Sequence, residues 1–202
     1  MVMENESKFT FVGNHTVLDF INTLLKNQNG PVELLLNFPD ILNWMTEAKV
    51  ISPSKRTELL ITWRDERENT QVVEKVRAFR KILHAMVTEL IDDRAVSQNI
   101  LDEINYTLAY STSHFQIAHG KKGLTKERVH GFKSAMHFLV PFAEMAVNLL
   151  TETDHKLIRK CENPECVIVF YDTSKNHTRR WCRMQVCGNR FKAAKFYKRN
   201  RK

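Results

Sequence analysis

The sequence predicts a mainly α-helical protein with a minor β component, arranged in two parts. Over the first 150 residues, apolar side chains recur at helical spacing. All four cysteines then fall within 27 residues, and the net positive charge lies in the same region. We therefore predict a helical domain with a small β element over residues 1–154. A small four-cysteine module ending in a basic helix follows over residues 155–202.

The N-terminal elements are predicted from two patterns, the alternation of polar and apolar residues and apolar residues at helical spacing. The segment Phe9–Gly13 alternates in polarity and predicts a short strand. Apolar residues at helical spacing over Val17–Leu24 predict a helix, with Asn14 as its N-cap. Gly30–Pro31 breaks the chain, and a second helix is predicted to restart at Pro39, because proline is favoured in the first turn.

Further helices are predicted towards the middle of the chain. Ser52 or Ser54 is expected to cap one of them, and Ser97 another. Between these, residues 70–93 carry apolar side chains at alternating spacings of three and four, which is the pattern of an amphipathic core helix. Its predicted buried face comprises Val72, Val76, Phe79, Leu83, Met86 and Leu90.

The pattern changes after residue 110. Short mixed segments around Gly120–Gly123 predict a β-hairpin. A helix over residues 132–150 follows, interrupted near Pro141. Its most apolar stretch, Phe138–Leu150, is too short to span a bilayer and contains polar residues, so no membrane partner is expected. The acidic start of the chain does not resemble a secretory signal, so we expect a cytoplasmic protein.

The positive charge belongs to the last quarter of the chain. Residues 151–202 contain 14 Lys or Arg and 5 Asp or Glu, whereas residues 1–150 contain 17 and 18. This asymmetry favours a polyanionic partner for the C-terminal module, most often nucleic acid. The alternative is a basic tail that only adds solubility.

The cysteines form the pattern C-x4-C-x15-C-x4-C, from Cys161, Cys166, Cys182 and Cys187. Two short cysteine pairs from separate turns supply the four soft ligands of a tetrahedral zinc ion. A module of about fifty residues cannot bury a large core, so one structural zinc would stabilise it. Two disulfides are the alternative, which a reducing cytosol disfavours. Four thiolates leave no open position for a water, which argues against a catalytic zinc.

The C-terminal segment resembles the CGNR zinc finger, named after the residues that stand here at Cys187–Arg190. The resemblance also rests on Asn163–Pro164 and on the run from Phe170 to Asn176. The helical part is similar to the ABATE domain, on the motif Leu18–Leu24 and the order of its elements. ABATE domains precede this finger in bacterial proteins described as stress-induced transcription regulators. The resemblance implies zinc on the four cysteines and a DNA-binding role.

A helix from Arg190 to Lys202 would separate a basic stripe from an apolar arc of Ala193, Ala194, Phe196 and Tyr197. Phe191 falls outside this arc and is expected to pack on the zinc knuckle. The predicted partner is double-stranded DNA, held by cations of this helix and of the second knuckle. The candidate nucleic-acid-binding residues are Lys175, Arg179, Arg180, Arg183, Arg190, Lys192, Lys195, Lys198 and Arg199.

Other functions stay open at this point. Exposed Tyr171, Trp181 or Tyr197 would favour RNA, and an exposed apolar arc would favour a protein-interaction adaptor. His15, Asp19 and Asn22 lie together on one helix and are a candidate pocket for a small-molecule effector, although hydrogen-bonded structural polar groups at a helix start are the favoured explanation. A homodimer would compensate for the small contact area of one finger. The sequence carries no nucleophile elbow or phosphate-binding glycine loop, so no enzymatic activity is predicted.

Overall fold

The protein is mainly helical with small antiparallel sheets, as predicted. A computed structural model describes residues 7–120 and 123–200. Each described sheet pairs two consecutive strands. The helices are α1 (Thr16–Ile21), α2 (Phe38–Glu47), α3 (Pro53–Thr62), α4 (Glu66–Ile91), α5 (Gln98–Leu108), α6 (Val140–Glu152) and α7 (Asn189–Asn200). The strands are β1 (Leu24–Asn27), β2 (Gly30–Glu33), β3 (His114–Gly120), β4 (Gly123–Val129), β5 (Ile158–Lys160) and β6 (Val169–Tyr171).

The long helix α4 forms the centre of the N-terminal domain. The Asp65 side chain caps it by accepting from the backbone N–H groups of Arg67 and Glu68. Its apolar face is buried against α1, α2 and α5. The predicted core residues that are fully buried on this face are Val72, Val76, Phe79, Leu83 and Met86.

The predicted start of α2 and the predicted cap of α3 agree with the structure. Pro39 stands in the first turn of α2, and the Asn37 side chain accepts from Asp40 N. Ser52, rather than Ser54, caps α3 by accepting from Lys55 N at 3.1 Å. These local signals are reliable because they satisfy backbone N–H groups that no helical partner can reach.

The first 35 residues differ from the prediction in three ways. The segment Phe9–Gly13 is not a strand: it is irregular, with a single backbone bond from Tyr171 N to Gly13 O at 2.7 Å. His15, not Asn14, caps α1, because Asn14 adopts a left-handed conformation with φ 55°. The helix also ends at Ile21 rather than continuing to Leu24, where β1 begins.

The early end of α1 has a local cause. The Thr23 hydroxyl donates to Phe20 O at 2.6 Å, and the Asn22 amide is bonded to β6, so both side chains turn the chain out of the helix. The chain then forms the β1–β2 hairpin, which periodicity alone did not reveal.

The hairpin predicted around Gly120–Gly123 is confirmed, with these two glycines facing each other at its end. Gly123 has φ +120°, a conformation that side chains with a Cβ rarely adopt. The predicted interruption near Pro141 is the start of a helix: a 3-10 turn ends at Phe138 and α6 begins at Val140. Pro141 therefore occupies the first turn, where it leaves no helical hydrogen bond unmade.

The two parts of the chain pack into each other. Ile158 and Val169, from β5 and β6, belong to the large core of the N-terminal domain. Val12 instead belongs to the smaller core around the cysteines. The predicted division after residue 154 stays a prediction, and the packing crosses it.

Candidate metal centre and nucleic-acid interface

The first cysteine pair is carried by a tight turn between β5 and β6. Cys161 N donates to Ile168 O at 2.9 Å, which closes the loop that starts after β5. Inside the loop, Asn163 is buried, and its Oδ1 accepts from Glu165 N at 3.1 Å. Cys166 N donates to Asn163 O at 2.9 Å. An asparagine suits this position because its side chain accepts from Glu165 N, which no backbone carbonyl of the turn does.

The second pair is carried by a π-helical turn, Met184–Gly188: Cys182 precedes the turn and Cys187 lies within it. Cys187 N and Gly188 N both donate to Arg183 O, at 3.0 and 3.3 Å. A Cβ at Gly188 would lie 3.1 Å from Trp181 Cδ1 and would collide with Met184 Sδ. Gly188 is therefore needed for close approach and not for a left-handed backbone, because its φ is not in that region.

The four cysteine sulfurs form one compact cluster. All four Sγ atoms lie within 4.8 Å of one another, and Cys161, Cys182 and Cys187 are buried. Cys182 Sγ lies 3.7 Å from Cys166 Sγ and 3.5 Å from Cys187 Sγ. A tetrahedral zinc with Zn–S bonds of about 2.3 Å separates its sulfurs by about 3.8 Å. A disulfide needs about 2.05 Å, so the cysteines are free thiols whose arrangement can hold one zinc ion.

The protonation of the thiols also favours a cation. The hydrogen bond from Cys182 lowers the pKa of Cys166, whereas burial raises the pKa of Cys187. The cluster therefore favours one thiolate, and the loss of a second proton from the remaining thiols is disfavoured. A backbone donor, Cys182 N, points to Cys161 Sγ at 3.4 Å and orients that ligand. Four thiolates become compatible only when a divalent cation neutralises them, which matches the donor set of a structural zinc.

Asp172 orders the loop that leads from β6 to the second knuckle. Its carboxylate is fully buried and accepts from Ser174 Oγ at 2.6 Å, Ser174 N at 3.0 Å and Arg179 N at 2.9 Å. Burial alone would raise the pKa of Asp172, but these hydrogen bonds outweigh it and hold the pKa below its usual value. The residue therefore has a structural task.

Comparison with known families identifies both parts of the chain. The CGNR zinc finger model matches residues 158–200. The ABATE model, described as "Putative stress-induced transcription regulator", matches residues 14–153, well over half of the chain. The chain belongs to the ABATE family. A search of curated proteins finds no match to it.

The basic residues of the CGNR finger fall into two groups. Arg179 is bonded within the protein: its guanidinium donates to Trp181 O and Val12 O, both at 3.1 Å, and to Cys182 O. It also stacks on Phe170, 4.1 Å from the ring centroid. A nucleic-acid contact by Arg179 stays a prediction, and these internal partners argue against it.

The other predicted cations whose side chains the structure describes are exposed. Arg180 pairs with Glu162 at 2.6 Å but remains on the surface beside Trp181. The side chains of Lys198 and Arg199 lie outside the described residues. Exposed cations with no ion pair to any described carboxylate are Lys175, Arg183, Arg190, Lys192 and Lys195.

Helix α7 projects from the CGNR finger. Phe191 packs on Trp181 with ring centroids 4.8 Å apart, as predicted for a contact with the knuckle. The predicted apolar arc itself does not dock on the module. Phe196 is 53% exposed and Tyr197 68% exposed, while Ala193 and Ala194 are also exposed.

The sequence did not reveal a contribution from the β1–β2 hairpin. Its turn faces the start of α7 and the first knuckle across a cleft of about 860 Å³. The hairpin side of this cleft is Lys26–Asn29, and the finger side includes Arg190. Lysine and amide side chains are common partners of phosphates and base edges. The signal in the sequence was the polar run Lys-Asn-Gln-Asn, whose position depends on the missed hairpin.

The predicted effector residues lie where the ABATE domain meets the finger. Asn22 bonds both ways to β6, with Nδ2 to Val169 O at 2.8 Å and Oδ1 from Val169 N at 3.0 Å. Asp19 Oδ1 accepts from Gly13 N at 2.7 Å, and burial raises the pKa of this carboxyl to about 6. His15 caps α1. A pocket at these residues stays a prediction, and their internal partners argue against it.

None of the helices in the described part of the chain is long and apolar enough to cross a membrane.

Proposed function

We propose that this ABATE-family chain is a transcription regulator that binds double-stranded DNA through its CGNR finger. The single observation that carries the proposal is the set of five exposed, uncompensated cations on a module that one zinc ion can stabilise. Exposed charges of one sign, held by a rigid module, attract a polyanion and release its counterions. The family description supports a regulator, since the ABATE domain and the finger occur in that order.

Helix α7 is the proposed recognition element. Its 12 residues span about 18 Å, and the described side chains beyond its first turn are exposed. The major groove, about 12 Å wide, admits an α-helix. Lys192 and Lys195 would then contact phosphates, with Arg190 and Lys26 alongside at the base of the helix. We further propose that the ABATE domain binds an effector, and that a homodimer increases the contact area with DNA.

Binding across a salt series tests this proposal. About five phosphate contacts predict that log affinity falls with log salt at a slope of about −4 to −5. The double variant Lys192→Ala/Lys195→Ala is expected to reduce the magnitude of the slope by about 2. Lys75→Ala/Lys81→Ala is the matched control, because it removes the same charge from exposed positions of α4. That control is expected to leave both slope and affinity close to wild type.

Two outcomes contradict the proposal. A slope near zero excludes binding through phosphates, and equal losses in both double variants indicate an effect of net charge rather than of α7. Binding to single-stranded RNA in preference to duplex DNA would instead support RNA recognition, in which Tyr197 stacks on a base.

A second candidate function is a zinc-stabilised adaptor that binds another protein. The observation that favours it is the exposed apolar arc of α7, especially Phe196 and Tyr197. Exposed aromatic residues are enriched at protein interfaces. Phe196→Ala/Tyr197→Ala separates the two functions: unchanged DNA affinity together with loss of a copurifying protein favours the adaptor. Reduced DNA affinity with an unchanged salt slope instead places the two rings at the DNA interface.

A further inference from the structure

A cavity of about 730 Å³ lies in the N-terminal domain, away from the zinc centre. It is bordered by the end of α2 and the loop after it, by the end of β4, and by one face of α6. This volume is in the range of small-molecule sites, which are about 300–1,000 Å³. Its charged and amide or imidazole side chains are Lys49, Glu127, Arg128, His130, Glu144 and Asn148.

His130 is the strongest sign of a ligand. The residue lines the cavity and is only 9% exposed. Its Nδ1 is buried and has no hydrogen-bond partner among the described residues. Burial lowers the pKa of His130, so near neutral pH the ring is uncharged and offers one donor and one acceptor. Buried polar atoms are nearly always paired, so this nitrogen lacks the hydrogen-bond partner that its burial requires.

Glu144 supplies an acceptor beside this histidine. Its Oε1 accepts from Arg128 at 2.6 Å and from Ser113 Oγ at 3.3 Å. Its Oε2 lies 3.9 Å from His130 Nε2, too far for a hydrogen bond, and accepts from no other described residue. A carboxylate held in place through one oxygen can accept from an ammonium group through the other.

Lys49 supplies a cation on another border of the cavity. It follows α2 in a left-handed conformation, φ 61°, where glycine is usual. Its ammonium group forms no ion pair with a described carboxylate. Arg128 adds a second positive charge, partly neutralised by Glu144. The cavity therefore presents cationic groups and a free carboxylate oxygen together.

We propose that this cavity binds a small zwitterion with the chemistry of a free amino acid. The ligand's carboxylate pairs with Lys49 and Arg128, its ammonium group with Glu144 Oε2, and one of its polar atoms with His130 Nδ1. The inference deepens the proposed effector binding and rests on the proposed function only for its regulatory meaning. Binding itself is independent of DNA.

The test uses the full-length, zinc-loaded protein without DNA. The probes are the twenty L-amino acids, and the binding of each is measured by calorimetry and by the shift of the thermal unfolding midpoint. At least one amino acid is expected to bind with a dissociation constant of about 1 mM or tighter. Its N-acetyl derivative and its carboxamide, which each remove one charge, are expected to bind at least about tenfold more weakly.

Variants then locate the site. Lys49→Gly fits the left-handed backbone, so it is expected to keep the fold and weaken binding about tenfold. His130→Asn keeps a polar atom near the Nδ1 position and is expected to retain binding, whereas His130→Gln keeps one near Nε2 and is expected to lose it. Lys75→Gly, on the exposed surface of α4, is a control for the loss of a lysine and carries a helix penalty of its own.

Several results would overturn the inference. Failure of all twenty amino acids to bind excludes the proposed ligand class. Equal binding of the amino acid and its uncharged derivatives excludes recognition of a zwitterion, and unchanged binding in Lys49→Gly and His130→Gln excludes this cavity. A crystal structure at saturating amino acid with only a water at His130 Nδ1 does the same. Loss of DNA binding with intact amino-acid binding would count against the proposed function alone.

Discussion

At the scale of single residues, two adjacent arginines have different tasks. Arg179 donates to three backbone carbonyls, including Val12 O in the other part of the chain. Arg180 is on the surface and pairs with Glu162. We expect Arg179→Ala to lower the free energy of unfolding by about 2–4 kcal/mol, because it leaves buried carbonyls without donors. Denaturant unfolding of the zinc-loaded protein measures this.

Arg180→Ala is the matched control for that experiment. It removes the same charge one residue further along, and it is expected to weaken DNA binding while stability stays close to wild type. If Arg179→Ala instead keeps its stability and loses DNA affinity, the structural role of Arg179 is wrong and the assignment made from the sequence is right.

Asp19 predicts a pH dependence of stability. Its pKa is about 6 in the folded protein, against about 3.9 in an unfolded chain. Between these pH values the folded state binds more protons at Asp19 than the unfolded chain does. The contribution of Asp19 to the free energy of unfolding therefore falls as pH rises from about 4 to about 6 and is constant above that. Asp19→Asn removes the buried charge and keeps an oxygen to accept from Gly13 N. We expect this variant to be as stable as wild type at pH 7 or more stable, by up to about 3 kcal/mol.

The measurement is the difference in unfolding free energy between wild type and Asp19→Asn at several pH values. Subtracting the two free energies cancels the pH dependence of zinc binding, because both proteins have the same four cysteines. Asp19→Ala is expected to be destabilised at all pH values, since Gly13 N loses its acceptor. A constant difference between wild type and Asp19→Asn across this range would show that the pKa of Asp19 is not raised.

The sequence predicted the zinc ligands but not the role of Arg179. Cysteine spacing can be read directly from the sequence, and two short pairs of thiols are the ligand set of a structural zinc ion. The partners of Arg179 are backbone carbonyls, which leave no trace in the sequence. Charge placed it in the interface, and only the fold shows that its donors are occupied.

At the scale of elements, the π-helical turn before α7 depends on Gly188. A Cβ here would collide with Met184 Sδ and lie 3.1 Å from Trp181 Cδ1. We therefore expect Gly188→Ala to destabilise the finger by about 1–3 kcal/mol. Competition for zinc with a chromogenic chelator reports this as faster loss of the metal.

Met184→Ala provides the control through a double-mutant cycle. Met184 is 46% exposed, so truncating it alone is expected to change little. In the double variant the collision is gone, and zinc retention is expected to recover in large part. A double variant as labile as Gly188→Ala would mean that the glycine is required for another reason.

Helices were predicted better than strands because their signals are local. The long helix α4 has an apolar face and a capping aspartate that can be recognised in any context. The short β1–β2 hairpin instead follows α1, and the helical spacing of apolar residues that predicted α1 continues to Leu24. Its boundary is decided by Asn22, whose partner Val169 is 147 residues away. No local pattern contains that contact, so the hairpin and its share of the cleft beside α7 were missed.

At the scale of the whole molecule, the ABATE domain and the finger are interdependent. The order of the two parts was predictable from charge and cysteine spacing, but their exchange of core residues was not. Ile158 and Val169 pack in the large core, and Val12 packs beside the cysteines. The Asn22–Val169 pair adds two buried hydrogen bonds across the junction. Zinc thus stabilises strands on which the N-terminal core also depends.

Removal of zinc is therefore expected to destabilise the N-terminal domain as well. Loss of the Val169 bonds and of apolar packing at the junction should cost roughly 3–5 kcal/mol. For a chain of this size, that lowers the unfolding midpoint by roughly 10 °C. The measurement is tryptophan fluorescence of a Trp181→Phe variant with and without a chelator, because Trp44 and Trp63 then report on the N-terminal domain alone.

Cys161→Ser controls for direct effects of the chelator. It removes one ligand, so its midpoint is expected to be low already and to change little when the chelator is added. Asn22→Ala, with its zinc site intact, is expected to lower the midpoint of the N-terminal domain and to reduce the further effect of zinc removal, because the main polar link to β6 is absent. A midpoint that is independent of zinc would mean that the N-terminal domain folds without support from the finger. In that case the shared core would be a consequence of proximity and not a source of stability.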